Sequence, residues 1–286
     1  MSTLPPRGYR NTQSYAGATL EAGSTATYSN HKQPEKTEMD KTADRSVFTN
    51  CAIRHAPPPA REGIIAKMLH RFVSMCRIVT FKAIFRRYKL FTMIPETDYV
   101  GNLELCWRFR DVKGCVVECG TWRGGMIAGM ADTLGRNRPY HLFDSFEGLP
   151  EVKEIDGREA KAWQDNKEGK YYFDNCLARA AEASKAMTVS KATDYTIHKG
   201  WFNATLPDFK AEDGIAILRL DADWYESTIE CLEHLFPKVN EGGVILIDDY
   251  YTWEGCSKAV HDYLSQHKSP CRISSYKGIS YIKRST

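Results

Sequence analysis

Two short apolar runs, Ile215 to Leu220 and Val244 to Ile247, each stop at aspartates: Asp221-Ala222-Asp223 after the first and Asp248-Asp249 after the second. Runs of this length, dominated by Ile, Val and Leu and set between helical segments, read as buried strands of a parallel sheet. In an open α/β sheet the carboxyl ends of such strands form the ligand crevice. Four carboxylates therefore converge on one mouth. Like charges that close raise one another's pKa unless a cation offsets them, so the arrangement calls for a divalent metal. Oxygen-only donors select magnesium, calcium or manganese over zinc. The competing reading, for any one aspartate taken singly, is a helix cap or turn former.

The remaining patterns build a sheet around these two strands. Asn102 to Phe109 suits a helix leading into a first strand, Cys115 to Glu118, and a helix follows from Gly125 to Leu134. Tyr140 to Phe143 makes a second strand. A polar insertion then runs from Pro150 to about Tyr172, a helix covers Asn175 to Met187, and Tyr195 to His198 makes a third strand. Ser227-Thr228-Ile229-Glu230 has the capping-box spacing and places a helix start just past the first aspartates. A last helix covers Glu254 to Ser265, and Arg272 to Ser275 can pair with Ile279 to Lys283 as a terminal hairpin. The order is βαβαβαβαβ with an antiparallel finish, which makes a doubly wound α/β sheet.

At 286 residues, 42% hydrophobic and 26% charged, the chain can bury one full-sized catalytic core with appendages. Residues 1–60 are rich in Ser, Thr, Gly and Pro and poor in large aliphatics, so they are expected to be a disordered extension. From Gly63 to Phe91 the pattern is helical, with Ile65, Met68, Leu69, Phe72, Cys76, Val79 and Ala83 at spacings of three and four and a basic opposite face. A helical cap over residues 61–101, a dimerisation arm that would make a homodimer, and a membrane-surface helix share that pattern, with cap or arm preferred. The catalytic domain then occupies 102–286. Nine scattered cysteines without a Cys-x-x-Cys argue for reduced thiols inside the cell, and Cys115 and Cys119 read as core filler. Without a long charge-free apolar stretch or an apolar signal-peptide centre, a soluble cytoplasmic protein is expected. A net charge of +3 points to no particular partner, and none of the motifs indicates nucleic acid. His141, His198 and His234 read as structural or surface residues.

Glu118-Cys119-Gly120-Thr121-Trp122-Arg123-Gly124-Gly125 follows the first strand and opens a helix, where nucleotide-like ligands meet an α/β sheet. Its spacing is E-x-G-x-x-x-G-G rather than G-x-G-x-x-G, which disfavours a dinucleotide. An acidic strand end before a glycine turn suits a ligand with a positive amino group. Asp144, in Phe143-Asp144-Ser145-Phe146-Glu147-Gly148-Leu149-Pro150, is placed to hold ribose hydroxyls.

Together with Lys199-Gly200-Trp201-Phe202, Thr205-Leu206-Pro207, Leu220 to Thr228 and Ile247 to Tyr250, these two motifs make the chain resemble the macrocin O-methyltransferase family. The likeness runs from about Thr92 to about Leu264. It implies a Rossmann-like class I methyltransferase fold that uses S-adenosylmethionine and magnesium to methylate sugar hydroxyls. It further implies that Asp221, Asp248 and Asp249 ligate magnesium and that Asp223 is the general base. Glu118, Gly120, Asp144, Ser145 and the Gly200-Trp201-Phe202 turn would surround the cofactor, with Met93 closing over it beside Thr92. Physical chemistry is consistent with those roles: a sugar hydroxyl is a weak acid, and a metal stabilises its alkoxide. Magnesium keeps coordination positions that a vicinal diol of a small-molecule or glycan acceptor can take. Two other classes remain as rivals. One is a metal-assisted hydrolase or phosphoryl-transfer enzyme, disfavoured because the turn lacks a glycine-lysine phosphate cradle; the other is a non-catalytic binding protein on the same scaffold. The insertion from Pro150 to about Met187, with Trp163, Tyr171 and Tyr172, is expected to lie over the active site and help select the acceptor.

Overall fold

The computed structural model describes residues 64–285, so the expectation for residues 1–60 lies outside the described residues. Helix α1 (Ile64–Tyr88) and helix α2 (Glu96–Arg108) precede the sheet. The sheet elements follow as β1 (Cys115–Cys119), α3 (Gly125–Leu134), β2 (Tyr140–Asp144), α4 (Arg158–Asp165), α5 (Phe173–Cys176), α6 (Ala180–Ser190), β3 (Tyr195–Lys199), α7 (Phe202–Thr205) and β4 (Ile215–Leu220). Then come α8 (Tyr225–Leu235), β5 (Val239–Ile247), α9 (Glu254–Gln266), β6 (Ile273–Tyr276) and β7 (Ile279–Lys283). The strand order is β3-β2-β1-β4-β5-β7-β6. β1 to β5 are parallel, and β7 runs antiparallel between β5 and β6. The order reverses between β1 and β4, the topological switch point where such sheets bind ligands.

Each face of the sheet carries its own apolar cluster. One joins Phe81, Phe85 and Tyr88 of α1, Tyr99 and Leu103 of α2, and Ile127 and Met130 of α3. The other gathers Val117, Leu218, Ile245, Leu232 and Val260 against α8 and α9. Tyr99 fits against α3 because Gly129 leaves room: a Cβ there would stand 1.9 Å from the tyrosine oxygen. The same hydroxyl donates to the Gly125 carbonyl at 2.7 Å.

Four local expectations change. α2 begins at Glu96 rather than Asn102, with Pro95 at its N-cap, and its first residues carry Asp98 and Glu96 where the helix dipole favours acids. The apolar stripe expected along α1 faces outward: Phe72, Cys76, Val79 and Ala83 are exposed, while Phe81, Ile84, Phe85 and Tyr88 are buried. The Ser227–Glu230 capping box is not the start of α8, which begins at Tyr225. The reason is a distant cap: Asp156 of the insertion accepts the Tyr225 amide at 2.7 Å. A carboxylate there satisfies an open amide and meets the positive end of the helix, worth about 1 kcal/mol.

The fourth change is the helix expected from Asn175, which starts instead at Ala180. Phe173, Asp174, Asn175 and Cys176 all have φ between 49° and 60°, a left-handed turn of four non-glycine residues. Left-handed backbone costs roughly 1–2 kcal/mol per residue. Bonds through Asn175 offset that cost: its carbonyl accepts from the Leu149 amide (3.0 Å), its Nδ2 donates to the Leu149 carbonyl (2.7 Å), and its Oδ1 accepts from Gln164 (3.1 Å).

Candidate active site

The five parallel strands end level, because the residue past each end keeps pairing with its neighbour. Gly120 donates its amide to Phe143, Gly200 to Asp144, Asp221 to Cys119 and Asp248 to Leu220, each at 2.9 Å. Gly120, Asp144, Gly200, Asp221 and Asp248 therefore share one rim.

The glycine turn is fixed to that rim by close backbone contact. Gly120 has φ +80°, and a Cβ there would lie 1.8 Å from the Asp221 carbonyl oxygen. Gly120→Ala is expected to destabilise the fold by more than about 2 kcal/mol, since it combines a strained φ with overlap on backbone that cannot yield. Urea unfolding of the variant and the parent measures it, and a shift under about 0.5 kcal/mol would contradict the contact. Gly125 stands against the Phe91 carbonyl and the Thr92 side chain, at 2.4 and 3.0 Å from a built Cβ. The strap that carries half-buried Met93 thus crosses the N-terminus of α3.

Asp144 organises the second half of the rim. Its Oδ2 accepts from the Trp122 amide and its Oδ1 from the Phe146 amide, both at 2.7 Å. Burial pushes its pKa up to about 6, against the downward pull of those two amides. Ser145 closes the same turn, accepting from Glu147 at 3.0 Å and donating to Gly148 at 3.1 Å. Beyond β3, Gly200 (φ +139°) leads to Trp201, which is 39% exposed, and to Phe202 at the start of α7. An exposed indole at this rim offers a stacking surface for a flat ligand.

At β4 and β5 the carboxylates meet a cation that sequence reading missed. Arg219, 1% exposed in β4, donates through Nη1 to Glu118 Oε1 and Asp221 Oδ2, both at 2.9 Å. Its Nη2 pairs with Asp248 Oδ1 at 2.6 Å. Register explains the geometry: Glu118 of β1 faces Arg219 of β4, and Asp221 follows two residues along the same strand. Burial pushes the Glu118 carboxyl up to about 8 even though Arg219 pulls it down. Its Oε2 is buried without a hydrogen-bond partner, an acceptor at the foot of the glycine turn that suits an ammonium donor. The signal for Arg219 was available as the single charge inside an apolar strand, which a buried position tolerates only when paired.

Asp221, Asp248 and Asp249 each bring a carboxylate oxygen within 4.8 Å of the others. The Asp248 side chain is fully buried, and Asp249 is 7% exposed. One guanidinium against this many carboxylates leaves the pocket negative, and an all-oxygen set at this spacing can hold a hard divalent cation. Asp223 stands on the same strand end with φ +56°, and its Oδ1 accepts from Trp253 Nε1 at 2.9 Å.

Trp253 belongs to an aromatic cluster that ties the insertion to the site. It meets Trp224 edge-on at 5.3 Å and Trp163 of α4 at 6.0 Å, while Trp163 reaches Tyr172 at 5.6 Å. Trp224 Nε1 donates to the Pro150 carbonyl at 3.0 Å. At the end of the left-handed turn, burial, then the charges of Asp223, Asp221, Asp249 and Asp144, push the Cys176 thiol up. Neither Trp253 nor Cys176 carries a local sequence signal. Of the three histidines read from sequence, His141 and His198 form a packed pair, with His141 Nδ1 and His198 Nε2 at 3.1 Å and His198 stacked on Phe143 at 4.1 Å, while His234 meets Glu230 at 3.1 Å.

A doubly wound sheet in this strand order, with a glycine turn after β1 and acids at the ends of β4 and β5, defines a Rossmann-like methyltransferase scaffold. Residues 92–279 match the macrocin-O-methyltransferase (TylF) family, and the chain belongs to that family. It is 35% identical over 173 residues to demethyldecarbamoylnovobiocin O-methyltransferase of Streptomyces niveus, covering 58% of this chain and 61% of that protein. It is 36% identical over 183 residues, 61% of this chain and 67% of the relative, to 8-demethyl-8-(2,3-dimethoxy-alpha-L-rhamnosyl)-tetracenomycin-C 4'-O-methyltransferase of Streptomyces olivaceus. Among solved structures, the O-methyltransferase NovP superposes with a TM-score of 0.56 at 30% identity, covering 68% of this chain and 83% of NovP. The calicheamicin methyltransferase CalS11, at 21% identity and a TM-score of 0.52 over 66% of this chain and 79% of its own, shares the fold.

Proposed function

We propose that this protein is an S-adenosylmethionine-dependent, magnesium-dependent O-methyltransferase that methylates a hydroxyl of a sugar-containing small molecule or glycan. The observation that carries the reading is the convergence of Asp221, Asp248 and Asp249 within 4.8 Å, beside Asp223 and next to the glycine turn. The relatives act, by their names, on demethyldecarbamoylnovobiocin and on a rhamnosyl-tetracenomycin, and the second name supports a glycosylated acceptor.

In this reading Asp221, Asp248 and Asp249 hold magnesium, and Glu118, Gly120, Asp144, Ser145, Gly200, Trp201 and Phe202 surround S-adenosylmethionine, with Met93 closing over it. The cofactor supplies an activated sulfonium methyl group, and the cation lowers the cost of charge on the acceptor oxygen. Everything else falls to the chain. Arg219 keeps three carboxylates in place without neutralising the pocket. Asp223 accepts the acceptor hydroxyl's proton on one carboxylate oxygen while Trp253 fixes the other, so the base cannot rotate away. The tryptophan cluster and the turn at Cys176 cover the mouth, limit water and present aromatic surface to a sugar ring. Methyl transfer needs alignment more than covalent help, and these contacts supply it.

Calorimetry with S-adenosylmethionine, with and without magnesium, tests the cofactor assignment, and activity on a rhamnosylated acceptor with and without chelator tests the metal. Cofactor binding in both conditions and activity lost in chelator are expected. Full activity in excess chelator would remove the metal, and no heat of binding in either condition would return the site to a hydrolase or a binding protein.

A further inference from the structure

α1 turns apolar side chains in two opposite directions. Phe81, Ile84, Phe85 and Tyr88 are buried in the core. On the other side Phe72, Met75 and Val79, spaced three and four apart, are 58%, 58% and 63% exposed, and Leu90 just beyond the helix is 79% exposed. By helical spacing, exposed Lys82 and Arg86 extend the outward stripe, and exposed Lys89 follows it. The segment's own charge has one sign, with Lys82 paired to Glu96 of α2 at 3.2 Å. From Ile64 through Pro95 the sequence holds seven lysines and arginines and no aspartate or glutamate, although the whole chain nearly balances 39 basic against 36 acidic residues. Arg77 and Arg87 turn back to the domain, lying over Trp107 at 5.1 Å and against Asp132 at 2.5 Å. Arg86 and Lys89 remain with the exposed apolar stripe.

We propose that this face of α1 docks on an anionic phospholipid surface, with Phe72, Met75 and Val79 at the headgroup boundary and Arg86 and Lys89 on the phosphates. Apolar burial and attraction to anionic lipid act together in such helices, and a short stripe needs both. Among the described residues no helix is long and apolar enough to cross a membrane, so the contact is peripheral. A second copy of the chain fits the face less well. Pairing the two stripes would bring two acid-free basic helices together, and like charges across an interface are costly.

The test is co-sedimentation of the full chain with vesicles of phosphatidylcholine alone and of phosphatidylcholine carrying about 30% phosphatidylglycerol, at low and high salt. Binding to the anionic vesicles at low salt is expected, at least about ten-fold weaker on neutral vesicles or at high salt. F72S/M75S/V79S and R86E/K89E should each reduce it at least about ten-fold, with far-UV circular dichroism and thermal midpoint unchanged because these side chains are exposed. No binding to either vesicle, or equal binding to both, overturns the proposal. So does a concentration-dependent dimer that the apolar triple variant converts to monomer, which would assign the face to a second copy.

Discussion

Replacing Arg219 by methionine is expected to lower folding stability by about 3–5 kcal/mol, the range for removing one partner of a buried ion pair. The side chain is 1% exposed and contacts Glu118, Asp221 and Asp248 at 2.6–2.9 Å. Methionine fills much of the space and leaves buried Glu118 and Asp248 and partly exposed Asp221 without their shared cation. They would respond by taking up protons, so the loss should be larger at neutral pH than at mildly acidic pH, where the carboxylates are neutral more often. Magnesium should stabilise the variant at least as much as it stabilises the parent, because binding to the folded state adds stability and the pocket has gained negative charge. Urea unfolding with and without magnesium measures both effects. A loss under about 1 kcal/mol would mean that something other than the guanidinium holds these acids, and a metal-independent loss would separate Arg219 from the cation site.

Four aspartates converging on one mouth need a positive charge nearby, and the fold answers that need partly with Arg219. The succession of strands and their carboxyl ends were legible because apolar runs of four to six residues ending in acids can be read locally. The glycine turn was legible for the same reason, though Gly120 is required first by contact with Asp221 rather than by a ligand. Asp144 shows the limit of such reading: both of its oxygens accept backbone amides, so it shapes the turns around it whatever ligand it meets. Contacts made across sequence could not be read. Asp156 caps a helix 69 residues away, and Trp253 reaches Asp223 over a separation of 30. The left-handed turn at Phe173–Cys176 was hidden because none of its residues is glycine, the usual marker of positive φ. Periodicity revealed the outward stripe of α1 but not the second stripe, Phe81, Ile84, Phe85 and Tyr88, that meets the core.

Asp223→Asn and Asp248→Asn should both cut methyl transfer sharply but in different ways, and the difference separates the base from the metal ligands. The change at Asp223 keeps the length of the side chain and an oxygen for the Trp253 indole while removing the capacity to take a proton. Turnover should fall about a hundred- to ten-thousand-fold, the usual contribution of a general base, with cofactor and metal binding close to the parent's. Asp248 lies deeper, paired with Arg219 through Oδ1. Its amide variant removes a charge from the cation's donor set, so metal affinity should fall along with turnover, and part of the activity should return at high magnesium. Binding of S-adenosylmethionine should survive in both, since its proposed ligands lie on the β1, β2 and β3 side of the rim. Titration calorimetry with magnesium or manganese, set beside single-turnover rates, resolves the two patterns. Weakened metal binding in Asp223→Asn would move that residue into the metal's donor set and leave another group or a water to take the proton. Unchanged metal affinity in Asp248→Asn would instead restrict its role to holding Arg219.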